Sequence, residues 1–312
     1  MALQKNKIIK ILVTGSDGQL GRSLNYFNKK NKKFSLIFKN KKQLDIVDKK
    51  KLDKFIIKNE IKIIINTAAY TNVNLAENNT KLAFLINSVG PKNLALISSK
   101  YNIILIHFST DYIFDGNKKL AYTENDNPNP LSVYGRSKLE GEKNILENCN
   151  QYIIIRLAWL YGPFGNNFFT KIFKKFYNKK KYSMIGSQYS YPASSLQLSK
   201  DIVKVINIII KNKNNNYFGI FHYGPFHNKI SRYNFTSKLA SLLIKYKKLK
   251  NISNKAIIET FYMDLTKNKS NLRPSNSMLN NNKFFKVFKL KKHTFTNNLE
   301  LSIPLMFNKK LK

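Results

Sequence analysis

Two hydrophobic rhythms alternate along the first half of the chain. Five short runs are apolar at nearly every position: "IIKILVTG", "FSLIFKN", "IKIIINTAAY", "NIILIHFSTDYIF" and "YIIIRLAWLYG". Each predicts a strand buried on both faces. Between them, "GQLGRSLNYF", "KKLDKFIIKN" and "LAENNTKLAFLINSVGPKNLALISSK" carry helical spacing, the last with a bend before Pro91, where a backbone N–H is missing. Apolar strands separated by helices predict a parallel sheet with helices on both faces, a doubly wound α/β fold over residues 1–162. After Gly162 the rhythm loosens. "NNFFTKIFKKFYNKK" and "SKDIVKVINIIIKNK" predict amphipathic helices, "YFGIFHYG" a short strand, and the lysine- and asparagine-rich tail is weakly patterned. Residues 163–312 therefore read mainly as a smaller C-terminal α/β substrate domain, with some segments returning to the main sheet.

The strand-to-helix junctions carry the candidate chemistry. In "VTGSDGQLG", Gly15, Gly18 and Gly21 follow the first strand and open a helix, with Asp17, Gln19 and Leu20 between and beside them. Glycines there let the backbone turn tightly and approach a pyrophosphate at a helix N-terminus, which points to a Rossmann-type dinucleotide fold. In "HFSTDYIFDG", Ser109, Thr110 and Asp111 end a central strand, where open α/β sheets bind ligands. In "VYGRSKLEGE", Tyr134 and Lys138 are four residues apart after "TENDNPNPLS", so a helix capped by Ser132 would set both on one face. An ammonium about 6 Å from a phenol, at an effective dielectric of about 20, favours the phenolate by roughly 3 kcal/mol, or about two pKa units. A hydroxyl, a tyrosine and a lysine on a dinucleotide fold make a proton-transfer set.

Charge changes the picture less than its size suggests. The net charge is +38, yet 50 of the 55 basic residues are lysine, spread along the chain beside asparagine and isoleucine. The five arginines are Arg22, Arg136, Arg156, Arg232 and Arg273. Dispersed lysine with little arginine reads as AT-rich codon bias, so no specific nucleic-acid partner is expected. Cys149 is the single cysteine, which excludes an internal disulfide and fits a reducing compartment. His107, His222, His227 and His293 lack metal-ligand spacing, and no metal site is assigned; His107, in an apolar run, reads as a satisfied core residue. No apolar run reaches membrane-spanning length, and the N-terminus runs straight into the glycine loop without a cleavage site, so a cytoplasmic protein is expected.

Taken together, "GSDGQLG", "LDIVD", "NTAAYTNV", "AENN", "LINSVGPKNLA", "STDYIFDG", "NPLSVYGRSKLEGE", "RLAWLYG", "NNF" and "RPSNSMLN" resemble the extended short-chain dehydrogenase/reductases, and within them the dTDP-4-dehydrorhamnose reductase family. The resemblance runs from the glycine loop to about residue 280. It implies reduction of the C4 keto group of dTDP-4-dehydro-L-rhamnose by NADPH or NADH, giving dTDP-L-rhamnose. It makes Tyr134 the proton donor, Lys138 the group that lowers its pKa and holds the nicotinamide ribose, and Thr110 the hydroxyl that polarises the keto oxygen. Asp111 and Trp159 match positions that hold the sugar nucleotide. Asp45, Ile46, Ala68, Ala69, Tyr70 and Thr71 match positions lining the adenine and ribose side of the cofactor. A homodimer and Mg2+ come with the resemblance as well, without assignable ligands.

The chain departs from that pattern at Asn40, where an acid usually follows the second strand, at Asn74 and at Asn280. An acid at the first position would hold the ribose 2′-OH and repel a 2′-phosphate. Asn40, flanked by Lys39, Lys41 and Lys42, predicts a preference for NADPH. Two other readings use the same scaffold. A nucleotide-sugar dehydratase or epimerase is one, but a dehydratase usually has Asp-Glu after the threonine, where this chain has Asp111-Tyr112. A non-catalytic module like the regulatory subunit of methionine adenosyltransferase is the other, and an intact Thr110, Tyr134 and Lys138 argue against it.

Overall fold

The computed structural model describes residues 8–28, 33–177, 182–212, 215–226, 229–246, 257–260 and 273–308. Its centre is a six-stranded parallel sheet. The first half supplies β1 (Ile9–Thr14), β2 (Phe34–Lys39), β3 (Ile61–Asn66), β4 (Ile104–Thr110) and β5 (Tyr152–Leu157). Its helices are α1 (Gln19–Tyr26), α2 (Lys49–Lys58), α3 (Val73–Asn78), α4 (Thr80–Phe84), α5 (Gly90–Lys100) and α6 (Val133–Asn148). The second half adds α7 (Phe168–Tyr177), β6 (Tyr182–Ile185), β7 (Tyr189–Ser190), α8 (Ser195–Lys211), β8 (Gly219–Tyr223), β9 (Ile230–Ser231), α9 (Arg232–Lys245), β10 (Ile257–Thr260), α10 (Asn282–Val287) and α11 (Phe295–Met306).

The strand order is β2-β1-β3-β4-β5-β8, so a strand from the second half completes the main sheet. The order reverses between β1 and β3, which opens a crevice at their C-terminal ends. Alternation within strands explains their continuous hydrophobicity. Ile63 and Ile65 join one core with Ile106, Ile155 and α8, whereas Ile64 joins the opposite core with Leu12, Leu105 and α5. Each fully buried isoleucine is worth about 1.5–3 kcal/mol, so a charge at Ile64 would break the sheet. A separate aromatic core joins α7, α9 and α11 through Phe169, Phe173, Phe235, Leu239 and Leu299.

Three boundaries differ from the sequence reading. The long helical region over 75–100 is interrupted at Asn79 (φ −122°, ψ 47°) and contains a π-helical turn, Leu85–Val89, before Pro91. The fourth strand stops at Thr110, because its hydroxyl accepts from the Tyr112 amide and turns the chain into a 3-10 turn, Asp111–Ile113. The fifth stops at Leu157, and Trp159 takes a left-handed backbone, φ 40°. The tail holds more structure than its pattern suggests, namely α9, α10 and α11. Among the described residues no helix is long and apolar enough to cross a membrane.

Candidate active site

The glycine turn lies over the crevice between β1 and β3. Gly15 has φ +66°, and a Cβ there would lie 2.5 Å from the Ala68 amide nitrogen, so only glycine closes this turn. Gly18 caps α1. Beneath the turn is a cavity of about 250 Å³ lined by Gly15, Asp17, Gly18, Asn40, Asp45 and Ile46, with Lys41, Ala68 and Ala69. It opens into a larger cleft of about 560 Å³, with which it shares Asp17, Gly18, Thr67, Ala68 and Ala69. Gln19, Leu20, Thr71, Thr110, Asp111, Tyr134, Lys138 and Trp159 line that cleft. Two residues of the expected set line neither cavity. Gly21 faces Ser16 inside the turn, and Tyr70 has its backbone N–H and C=O bonded to the side chain of Asn87.

Helix α6 carries the Tyr–Lys pair, and its placement follows from its sequence. Ser132 caps it, accepting from the Gly135 amide at 3.1 Å, as the sequence predicts. At Gly135 a Cβ would collide with the Tyr112 carbonyl, so glycine lets the helix approach the turn after β4. Glu142 makes a buried pair with Arg156 of β5 at 2.7 Å, and Lys138 donates to the Phe108 carbonyl of β4 at 2.7 Å. Breaking a buried pair of this kind costs about 3–5 kcal/mol, so α6 is firmly fixed to the sheet.

The Thr110 hydroxyl donates to Asp111 Oδ1 at 3.1 Å and accepts from the Tyr112 amide at 3.2 Å. The expected acidification of Tyr134 is corrected here. Tyr134 keeps part of its surface open to the cleft, yet protein surrounds it densely enough that desolvation pushes the phenol well above its ordinary range. The Thr110 hydroxyl opposes this rise, and Asp111 and Tyr112 add to it. Lys138 points its nitrogen towards the sheet, at Phe108 O and, 3.1 Å away, His107 Nε2. Burial lowers its own pKa to about 8, against the pull of Glu142. Asp111, 2% exposed, is raised to about 6 by burial, with Ser277, Thr110 and Arg232 opposing.

The far end of the cleft holds residues that the sequence reading missed. Arg232, the first residue of α9, places its guanidinium carbon 4.3 Å from the Trp159 ring centroid and 4.8 Å from that of Phe168. The rings give a planar cation a fixed bed. Its only signal in the sequence is that it is one of five arginines among fifty lysines. Trp159 meets this cation from a backbone conformation that costs non-glycine residues about 1 kcal/mol. Two residues lining the cleft, Gln19 and Ser109, carry buried polar side-chain atoms, Nε2 and Oγ, with no hydrogen-bond partner, an unmet polar capacity beside the cleft.

The described histidines each have hydrogen-bond partners within the protein. His107 lies between Asn66 and Lys138, His222 between Tyr122 and Arg156, and His293 against Asp201 at 2.7 Å. His227 lies outside the described residues. Among the described residues no cluster of three or more His, Cys, Asp or Glu is placed to hold a metal ion, so nothing supports the Mg2+ expectation.

Known proteins resemble this chain over nearly its whole length. The family profile described as the RmlD substrate binding domain matches residues 9–306. A dTDP-4-dehydrorhamnose reductase of Aggregatibacter actinomycetemcomitans is 33% identical over 280 residues, covering 89% of this chain and 93% of that protein. The crystal structure of a dTDP-4-dehydrorhamnose reductase from Clostridium acetobutylicum superposes with a TM-score of 0.83 at 31% identity, over 96% of this chain and 99% of the other. That of the Bacillus anthracis dTDP-4-dehydrorhamnose reductase, in complex with NADP, gives 0.83 at 27% identity over the same shares.

Proposed function

The chain belongs to the RmlD substrate binding domain family, that of the dTDP-4-dehydrorhamnose reductases, and on that premise we propose that it reduces the C4 keto group of dTDP-4-dehydro-L-rhamnose with NADPH. The product is dTDP-L-rhamnose. The observation that carries this reading is the meeting of Thr110, Tyr134 and Lys138 in a cleft continuous with the cavity beneath the glycine turn. Residues 1–162 serve as the dinucleotide half. Residues 163–312 serve mainly the substrate, with β8 lent to the main sheet.

The residues present fit a dinucleotide. The turn at Gly15 leaves no room for a Cβ, and Gln19 and Ser109 offer unpartnered polar atoms. The Asp17–Gly18 turn and the start of α1 would take the pyrophosphate, and Asn40, Lys41, Asp45 and Ile46 the adenosine end. Asn40 does not repel a 2′-phosphate. Lys41 lines the same cavity, whereas Lys39 lies over the Phe55 ring at 5.4 Å. A single partly solvated charge of this kind gives NADPH an advantage of about five- to tenfold over NADH. When bound, the reduced nicotinamide supplies the hydride.

The chain's own residues manage the proton. A phenol pushed above its ordinary pKa keeps its proton at neutral pH. It still yields that proton to an alkoxide, a stronger base than phenolate, so Tyr134 acts as the acid at the C4 oxygen. The Thr110 hydroxyl donates to the same oxygen and stabilises its developing charge. Asp111 and Trp159 position the sugar nucleotide, and Arg232 faces its diphosphate. The test is to mix the purified protein with NADPH and dTDP-4-dehydro-L-rhamnose. The expected result is loss of NADPH absorbance with stoichiometric dTDP-L-rhamnose. Oxidation with other keto sugars only, or none at all, would contradict the assignment.

A further inference from the structure

A buried polar row crosses the sheet and ends on the catalytic helix. Strand register sets Thr14, Asn66 and His107 side by side on β1, β3 and β4. Their exposures are 0%, 1% and 0%, and Lys138 at the end of the row is 2% exposed. The direction of every hydrogen bond in the row follows from one fixed point. The Ala68 amide, which can only donate, lies 3.1 Å from one side-chain atom of Asn66, so that atom is the oxygen. Thr14 donates to the same oxygen at 2.7 Å. The Asn66 nitrogen therefore faces His107 Nδ1 at 2.9 Å, and an amide NH2 can only donate. Nδ1 must accept. Burial keeps His107 neutral, so its one proton sits on Nε2. That N–H points at Lys138 Nζ, 3.1 Å away. An ammonium there would set donor against donor inside the protein. An amine accepts from Nε2–H and still donates to the Phe108 carbonyl.

We propose that His107 is a positioning residue for Lys138: the ring tautomer imposed by Asn66 presents an N–H to the Lys138 nitrogen, which disfavours the ammonium and lowers the pH at which that side chain gives up its proton in the free protein. The remaining groups around Lys138 do not remove this constraint. On α6, Tyr134 lies one turn back and Glu142 one turn on, the latter held by Arg156 of β5. Glu77 of α3 accepts from the Val133 amide, and Asp111 and Tyr112 lie beyond Tyr134. Only Glu142 pulls Lys138 towards its charged form, and burial outweighs it.

NMR of the ring nitrogens in the isotope-labelled full chain tests the tautomer without any assay of turnover. The expected result is a protonated Nε2 and a bare Nδ1 on His107. A proton on Nδ1 would overturn the proposal, whatever the enzyme's activity. Asn66→Asp supplies the second test. A carboxylate keeps the acceptors for Thr14 and Ala68 but replaces the donor facing Nδ1, which should move the ring proton to Nδ1. The Lys138 titration, followed through its own side-chain resonances, should then rise by about one pH unit or more. The Asn66→Asp/His107→Leu pair separates the tautomer from the added charge. A Lys138 midpoint that rises as far in this pair as in Asn66→Asp alone would assign the effect to the carboxylate and defeat the proposal. An unmoved midpoint in folded Asn66→Asp would also overturn the proposal.

Discussion

All of the smaller cavity's lining lies between positions 15 and 86, at the C-terminal ends of β1, β2 and β3 and just beyond, with Ile86 added from the π-helical turn Leu85–Val89. At the opposite end of the cleft, Trp159 follows β5, Phe168 starts α7 and Arg232 starts α9. The cofactor end is shaped largely by backbone: a glycine turn, a helix N-terminus, and strand ends aligned by register. The sugar end is shaped by side chains from elements distant in the chain, packed on a separate aromatic core. Backbone geometry is written locally, in glycine spacing and strand rhythm. A cation seated between two rings is written only in the tertiary fold. The proton-transfer set lies between the two ends, and each substitution below should affect one end and spare the other.

The largest effect is expected where the ends meet. Tyr134→Phe should lower kcat by about 10² to 10⁴, because it removes the acid and little packing. NADPH affinity, measured by titration, should stay nearly unchanged. A variant turning over at half the wild-type rate would show that the proton comes from elsewhere.

Asp111→Asn should separate stability from function at the sugar end. Its carboxyl is raised from 3.8 to about 6 in the folded protein. The folded state therefore binds more protons than the unfolded state between those values, and stability falls as pH rises through that window. A neutral amide removes this cost, worth about 3 kcal/mol at pH 8 and nothing well below pH 4. Thermal unfolding should show a higher Tm for the variant at pH 8, no gain in acid, and weaker binding of the sugar nucleotide. An equal or lower Tm at pH 8 would mean that the carboxylate is better solvated than its burial implies.

Arg232→Ala should weaken dTDP-sugar binding about ten- to hundredfold, as expected for a charge-assisted contact of about 1.5–3 kcal/mol. NADPH binding should be unaffected, and a parallel loss would merge the two ends into one site. The smallest effect belongs to Asn40→Asp at the cofactor end. Ratios of kcat/KM should swing towards NADH by about five- to tenfold with the KM for sugar unchanged. If NADH is already preferred by the wild type, Asn40 is not the selecting residue.

The same contrast explains what was legible in the sequence. The parallel sheet, the Ser132 cap and the Tyr134–Lys138 spacing each sit on one element, where period and capping chemistry act directly. The ends of the fourth and fifth strands were less legible, because apolar character continues through Ile113 and Leu160 after the backbone has turned. The effect of Lys138 on Tyr134 was misjudged for a physical reason. Spacing on a helix places two residues on one face but does not say where a flexible lysine sends its nitrogen. Here the Phe108 carbonyl and His107 take it, and burial dominates both groups. His107 looked like a satisfied core residue, and it is satisfied. Its partners were hidden because they depend on the register of three strands. Arg232 left one trace, an arginine where the composition favours lysine, and that trace gains meaning only once Trp159 and Phe168 are seen beside it.

The most direct test of the account follows the hydride itself. NADPH carrying deuterium at the transferable position of the nicotinamide, incubated with the protein and dTDP-4-dehydro-L-rhamnose, should yield dTDP-L-rhamnose with deuterium at C4. Tyr134→Phe should reduce the rate of that transfer without changing its position. Deuterium retained on the nicotinamide, or found at any other carbon of the sugar, would contradict the account.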